Sequence, residues 1–158
     1  MEWNTNNEGT TRLEKVLRDI KAGEKAYGTL VTADVYPHKR PYFKKRHFKM
    51  ADDAKVLERE LNTITNGQYT RPSSTTKGGI FEPMETMALE RSMTRKELDV
   101  LILHKEQELV ESYQQVLDHP NLPNVTVAIL QAQAEDLNNL LLGLKIDTAV
   151  GTYPRNPS

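Results

Sequence analysis

Glu24 and Glu106 occupy positions where the surrounding pattern calls for apolar residues. One amphipathic stretch reads Leu13, Leu17, Ile20, Glu24, Tyr27 and Val31, and a later one reads Leu98, Ile102, Glu106, Leu109, Tyr113 and Val116. Alternating steps of three and four residues put each set on one face of a helix. An ionised carboxylate turned into a core costs several kcal/mol unless something pairs with it. Two such carboxylates facing one another would make a polar centre inside a helical bundle. His47 lies on a third apolar face, with Phe43, Met50, Ala54, Leu57, Leu61 and Ile64, and could add a nitrogen ligand.

A di-iron bundle draws one Glu from each of two helices and a Glu-x-x-His from each of the other two. This chain contains no Glu-x-x-His. Glu24, His47 and Glu106 could therefore hold a single Fe, Mn or Zn ion. The favoured reading is a centre without a cofactor, in which His47, Tyr27, Tyr113 or water satisfies the glutamates. A second cluster is basic. From His38 to Lys49 the chain carries Lys39, Arg40, Lys44, Lys45, Arg46 and Lys49, interleaved with Tyr42, Phe43 and Phe48. That composition fits an anion or nucleic-acid patch, and equally the solvated side of a helix whose Phe43 and His47 point inward.

Composition limits the remaining chemistry. Lys and Arg number 21 against 22 Asp and Glu, so net charge recruits neither nucleic acid nor membrane. With no cysteine there is no disulfide, thiolate site or cysteine nucleophile, and the chain suits a reducing cytoplasm. No apolar run is long enough to span a bilayer, and the N-terminus lacks the features of a signal peptide. No catalytic residue can be named.

The elements that must position these groups are all helices. Residues 1–10 read as a flexible arm, residues 11–146 as a four-helix bundle and residues 147–158 as a flexible tail. The helices are expected at about 11–32, 41–66, 94–118 and 123–145, with a crossover over 67–93 that contains a short helix beginning at Pro83. Thr11-Arg12-Leu13-Glu14 and Thr94-Arg95-Lys96-Glu97 both match the capping box, and Asn66-Gly67 stops the second helix. Gly23 and Gly28 interrupt the first helix, marking either close approach of a neighbour or plain irregularity. The halves align as two αα-hairpins, Ile20 with Ile102, Glu24 with Glu106, and Met50, Ala54 and Leu57 with Leu130, Ala134 and Leu137. Helices of ~22 residues are ~33 Å long, and the crossover can cover that length, as in bundles with one long connection.

The strings Arg12 to Tyr27, Glu106 to Leu117, Leu122-Pro123 and Gln133 resemble a group of uncharacterised bacterial ferritin-like four-helix-bundle proteins, over about residues 11–145. The resemblance implies a ferritin-like fold and supplies no activity. The leading expectation is a non-enzymatic structural, stress-associated or interaction module in the cytoplasm. It would self-associate, most simply as a dimer, because Leu140-Leu141-Leu142 spreads apolar surface that the crossover helix or a second subunit must cover. The alternatives are a metal-binding ferritin-like protein, and binding of anions or nucleic acid through residues 38–49.

Overall fold

A computed structural model describes residues 8–69, 79–118 and 121–150. These form helices α1 (Glu8–Ala33), α2 (Arg40–Ile64), α3 (Glu82–Glu90), α4 (Arg95–Asp118) and α5 (Asn124–Val150), with a single 3-10 turn over Pro37–Lys39. The described residues contain no strand. Residues 1–7 of the expected arm (1–10), residues 70–78 of the crossover and residues 151–158 of the expected tail (147–158) lie outside the described residues, while 8–10 and 147–150 are helical.

Local chemistry accounts for most boundaries. The capping box at α4 is formed: Thr94 N–H donates to Glu97 Oε1 at 2.9 Å, and Glu97 N–H donates to Thr94 Oγ1 at 3.1 Å. Those bonds favour the charged Glu97 carboxyl and hold its pKa below the ordinary value. At the end of α2, Asn66 and Gly67 both take positive φ, 53° and 81°, and Gly67 N–H reaches Asn62 C=O at 2.7 Å. The box expected at Thr11 does not open α1, which starts three residues earlier at Glu8. Gly9 and Thr10 are buried, and a Cβ at Gly9 would come within 2.5 Å of the Asn121 carbonyl, so tertiary packing extends the first turn. α5 likewise runs past Lys145 to Val150, since no breaker occurs before Gly151.

Hydrogen-bonded residue pairs, two of them through the backbone carbonyls of Gln115 and Asp53, give the order of the long helices. Tyr27 with Glu106, Asp19 with Ser112 and Arg12 with Gln115 make α1 and α4 antiparallel. Lys49 with Asp136, Asp53 with Gln133 and Glu60 with Thr126 do the same for α2 and α5. α1 packs on α2 and α4 on α5. Each long helix thus runs opposite to both its neighbours, in the order up, down, down, up. α2 and α4 are a parallel diagonal, joined through the core by Arg46–Glu106, while Lys39 of the 3-10 turn before α2 pairs with Asp99 of α4. One core cluster includes apolar side chains from all five helices, among them Leu17, Leu57, Met84, Ile102 and Leu130.

α3 packs against α1 and α4. Lys25 on α1 pairs with Glu85 at 3.1 Å, and the Tyr36 hydroxyl lies 2.8 Å from the carbonyl oxygens of both Ala88 and Arg91. The crossover helix is therefore not the cover for the Leu140–Leu142 run, and Leu142 is 59% exposed.

Candidate functional site

Glu106 is wholly buried at the centre of the bundle, 0% exposed. It sits on α4 in the apolar series Leu98, Ile102, Leu109, Tyr113 and Val116, all of which are buried as their spacing requires. Arg46 of α2 meets it from the diagonal. Arg46 Nε donates to Glu106 Oε2 at 2.7 Å and Nη2 donates to Oε1 at 2.9 Å, the bidentate fork that matches guanidinium to carboxylate. The Tyr27 hydroxyl donates to Oε2 at 2.8 Å, and the Tyr42 hydroxyl lies 3.3 Å from the same oxygen. Both carboxylate oxygens are occupied.

The shell around the pair is aromatic. Tyr27 packs edge-on against Tyr42 with centroids 5.9 Å apart and against Phe81 at 5.7 Å. Burial, then the Glu106 charge, pushes the Tyr27 and Tyr42 pKa values far above the phenol range, so both remain protonated donors. Burial works against the Arg46 cation, but Glu106 more than offsets it, and the Arg46 pKa is raised. The polar chain continues toward the start of α4. Lys39 Nζ stands 5.1 Å over the Tyr42 ring and pairs with Asp99 Oδ1 at 2.7 Å.

The other two expected ligands lie elsewhere. His47 Nδ1 is 2.7 Å from the backbone carbonyl oxygen of Glu24, not from its carboxylate. Its ring rests on Gly28, where a Cβ would come within 2.9 Å of Nδ1, so the glycine serves a close approach. Gly23 does the same for Met50 and Phe81. Glu24 is only half-buried, and Gly23 takes the inward position beside it. The cluster of Glu24, His47 and Glu106 is therefore not formed, and among the described residues no group of three His, Asp or Glu is arranged to hold a metal ion. A cation beside Glu106 would also have to displace the guanidinium that fills its coordination sphere. The described residues around Glu106 do not fit a metal.

The basic segment is also rearranged. Lys39 pairs with Asp99, Arg40 with Asp34 at 3.8 Å, and Lys49 with Asp53 at 3.2 Å and Asp136 at 3.1 Å. Arg46 is inside the core, while Lys44 and Lys45 are exposed. The six cations expected to make one anion patch thus split into a core cation, three paired side chains and two exposed lysines with no ion pair among the described residues.

Next to the Arg46 side of this centre, residues of α2 and α5 line a cleft of about 380 Å³. Its apolar lining includes Ile20, Met50, Leu109 and Leu137. Lys45, Lys49, Asp53 and Asp136 supply charge to it. Tyr113 donates to Gln133 Oε1 at 2.8 Å on its inner wall, and burial, followed by the Asp53 charge, raises the Tyr113 pKa well above the phenol range. The Asp53 pKa is raised by burial despite the neighbouring Lys49.

Arg46 is the functional residue that sequence reasoning misplaced. Phe43 to Met50 can be stepped as 43, 47, 50 or as 43, 46, 50, and both fit a helical face. The signal for the second path was Glu106 itself, an acid on a core face that demands a cation on another. No family model matches this chain, no curated protein is similar to it, and no solved structure matches it.

Proposed function

We propose that this protein is a non-enzymatic, ferritin-like helical bundle that works by binding and association, with an internal ion pair where related architectures would hold metal. The observation that carries the reading is the Arg46 fork on Glu106, which together with Tyr27 and Tyr42 satisfies the one fully buried glutamate. A carboxylate so engaged already meets four donor contacts, three of them on Oε2, and the adjacent guanidinium repels a second cation. The ferritin-like part of the proposal is supported by the up-down-down-up order and the single long crossover. Self-association is supported by the outer side of α5, where Leu142 and Ile146 are 59% and 50% exposed and α3 packs elsewhere. Aerobic incubation with ferrous ion tests the first part. The proposal expects iron oxidation at the protein-free rate, and a rate that rises with protein and falls on Glu106→Gln would reject it. Light scattering tests the second, with a dimer expected and a strict monomer at micromolar concentration counting against it.

A further inference from the structure

α5 carries two seams. Thr126, Leu130, Ala134, Leu137, Leu141 and Leu144 are buried against the rest of the bundle. On the opposite side Val125, Ala128, Ala132, Glu135, Asn139, Leu142 and Ile146 are all exposed, in alternating steps of three and four. That is the heptad spacing of a helix face that packs on another helix. The outer face of a bundle helix is ordinarily charged, as on α2, where Lys44, Lys45, Asp52, Lys55 and Arg59 are exposed. The exposed series on α5 holds one charged residue, Glu135, and its large apolar members Val125, Leu142 and Ile146 are 67%, 59% and 50% exposed.

Gly143 lies beside this series. A Cβ at Gly9, Gly23 or Gly28 would come within 3.0 Å of a neighbouring atom, so each of those glycines admits part of the chain's own fold. A Cβ at Gly143 would meet nothing within 4 Å, although glycine weakens a helix interior. Among the described residues nothing requires a glycine there, whereas a helix approaching from outside would.

The series also complements itself. Turned end for end about a point between Glu135 and Asp136, it sets Val125 opposite the partner's Ile146, Ala128 opposite the partner's Leu142, and Ala132 opposite the partner's Asn139. The inner layers then pair small with large, and the two axes stay evenly spaced. A parallel pair would instead stack Leu142 and Ile146 on their own copies at one end and Ala128 and Ala132 on theirs at the other, wide at one end and gapped at the opposite one. Two helices ~10–12 Å across in contact over ~33 Å cover on the order of 1,000 Å² in total, about the least that a specific, weak interface needs.

We propose that the occupant of this face is the same face of a second copy, the two α5 helices packing antiparallel about a two-fold axis between Glu135 and Asp136. The proposal rests on the self-association inferred above and adds its geometry, an isologous contact in which each residue meets its counterpart's partner. Glu135 falls at the axis, near the partner's Glu135 and Asp136, and is the one unfavourable group in the contact; Asp136 is already paired with Lys49 at 3.1 Å.

The chain has no cysteine, so disulfide trapping starts without background. A tagged Ala128→Cys chain mixed with Leu142→Cys and oxidised should give a cross-linked heterodimer. Leu142→Cys alone should give almost none, because antiparallel packing holds the two positions ~20 Å apart and a disulfide spans about 7 Å between Cα atoms. Sedimentation equilibrium reads the same contact without cysteines. Glu135→Gln should tighten the dimer by at least about threefold, and Gly143→Gln should weaken it by at least about tenfold with helicity undiminished. Strong cross-linking of Leu142→Cys to itself overturns the antiparallel arrangement. A dimer that neither cysteine test traps and that Gly143→Gln leaves unchanged overturns the α5 contact while leaving self-association standing. A monomer at every concentration up to several hundred micromolar overturns both.

Discussion

Removing one half of the central ion pair should cost far more than removing both. In Glu106→Gln the Arg46 guanidinium, whose side chain is 9% exposed, loses the carboxylate it is paired with among the described residues. In Arg46→Met the Glu106 carboxylate, 0% exposed, retains only the two phenols. Each single change strands a buried charge, at a cost of about 3–5 kcal/mol. In the double variant the new amide oxygen at position 106 still accepts from Tyr27 and the methionine fills much of the arginine stem, so the loss should be only about 0–2 kcal/mol. The coupling energy is then on the order of 4 kcal/mol or more, well above the ~0.5 kcal/mol scatter of independent sites. Guanidinium unfolding at pH 7 of the wild type, both singles and the double measures it. A domain stability of roughly 5–15 kcal/mol keeps the singles within reach of the assay. Single effects that add to the double within about 0.5 kcal/mol would mean that the fork does not exist, and the account of the core would fail.

Three further outcomes follow from the same geometry. Tyr27, Tyr42 and Tyr113 have raised folded-state pKa values, so their contribution to stability is whole below the unfolded phenol pKa of about 10 and is lost as pH climbs beyond it; absorbance titration should show these three ionising only with unfolding, and a full phenolate signal from a still-helical chain would contradict this. Gly23→Ala drives a Cβ to 2.9 Å from Met50 Cε and 3.0 Å from Phe81, and the overpacking of about 1–3 kcal/mol should outweigh the roughly 1 kcal/mol gained in helix propensity. Gly143→Ala meets no atom within 4 Å and should instead stabilise by up to about 1 kcal/mol; thermal melts that fail to separate the two substitutions would refute the packing of α1 on α2. Leu142→Lys removes exposed apolar surface from α5 and should shift any dimer toward monomer in light scattering without lowering helicity, whereas unchanged mass would place the interface elsewhere.

Helices were legible because the chain is strongly periodic and well punctuated. The Thr94 capping box and the Asn66-Gly67 stop act through bonds within a few residues, so no knowledge of the fold was needed to read them. The face of α4 was legible because its apolar side chains are large and evenly stepped. The faces of α1 and α2 were harder for one shared reason. In each, a step of four followed by three competes with three followed by four. On α1 the true path runs through Ile20, Gly23, Tyr27 and Leu30, and Gly23 carries no side chain to announce that it is buried. The competing path through Glu24 and Val31 has a side chain at every step and matches the step to Glu106 on α4. On α2 the true path runs through Arg46, which charge assigns to solvent until its partner is known. The same one-residue rotation moved Glu24 and His47 out of the centre and brought Arg46 in. The start of α1 at Glu8 was hidden because it depends on the Asn121–Leu122 turn, more than a hundred residues away. Glu106 was found because an acid within a run of core residues is conspicuous whatever its partner.

Elemental analysis of protein purified without chelator, repeated on Glu106→Gln, addresses the central claim most directly. If the Arg46–Glu106 pair closes the core, iron, manganese and zinc should each be far below one ion per chain, and the substitution should leave them unchanged. Close to one ion per chain in the wild type, lost in Glu106→Gln, would contradict the ion pair as the occupant of the bundle's centre.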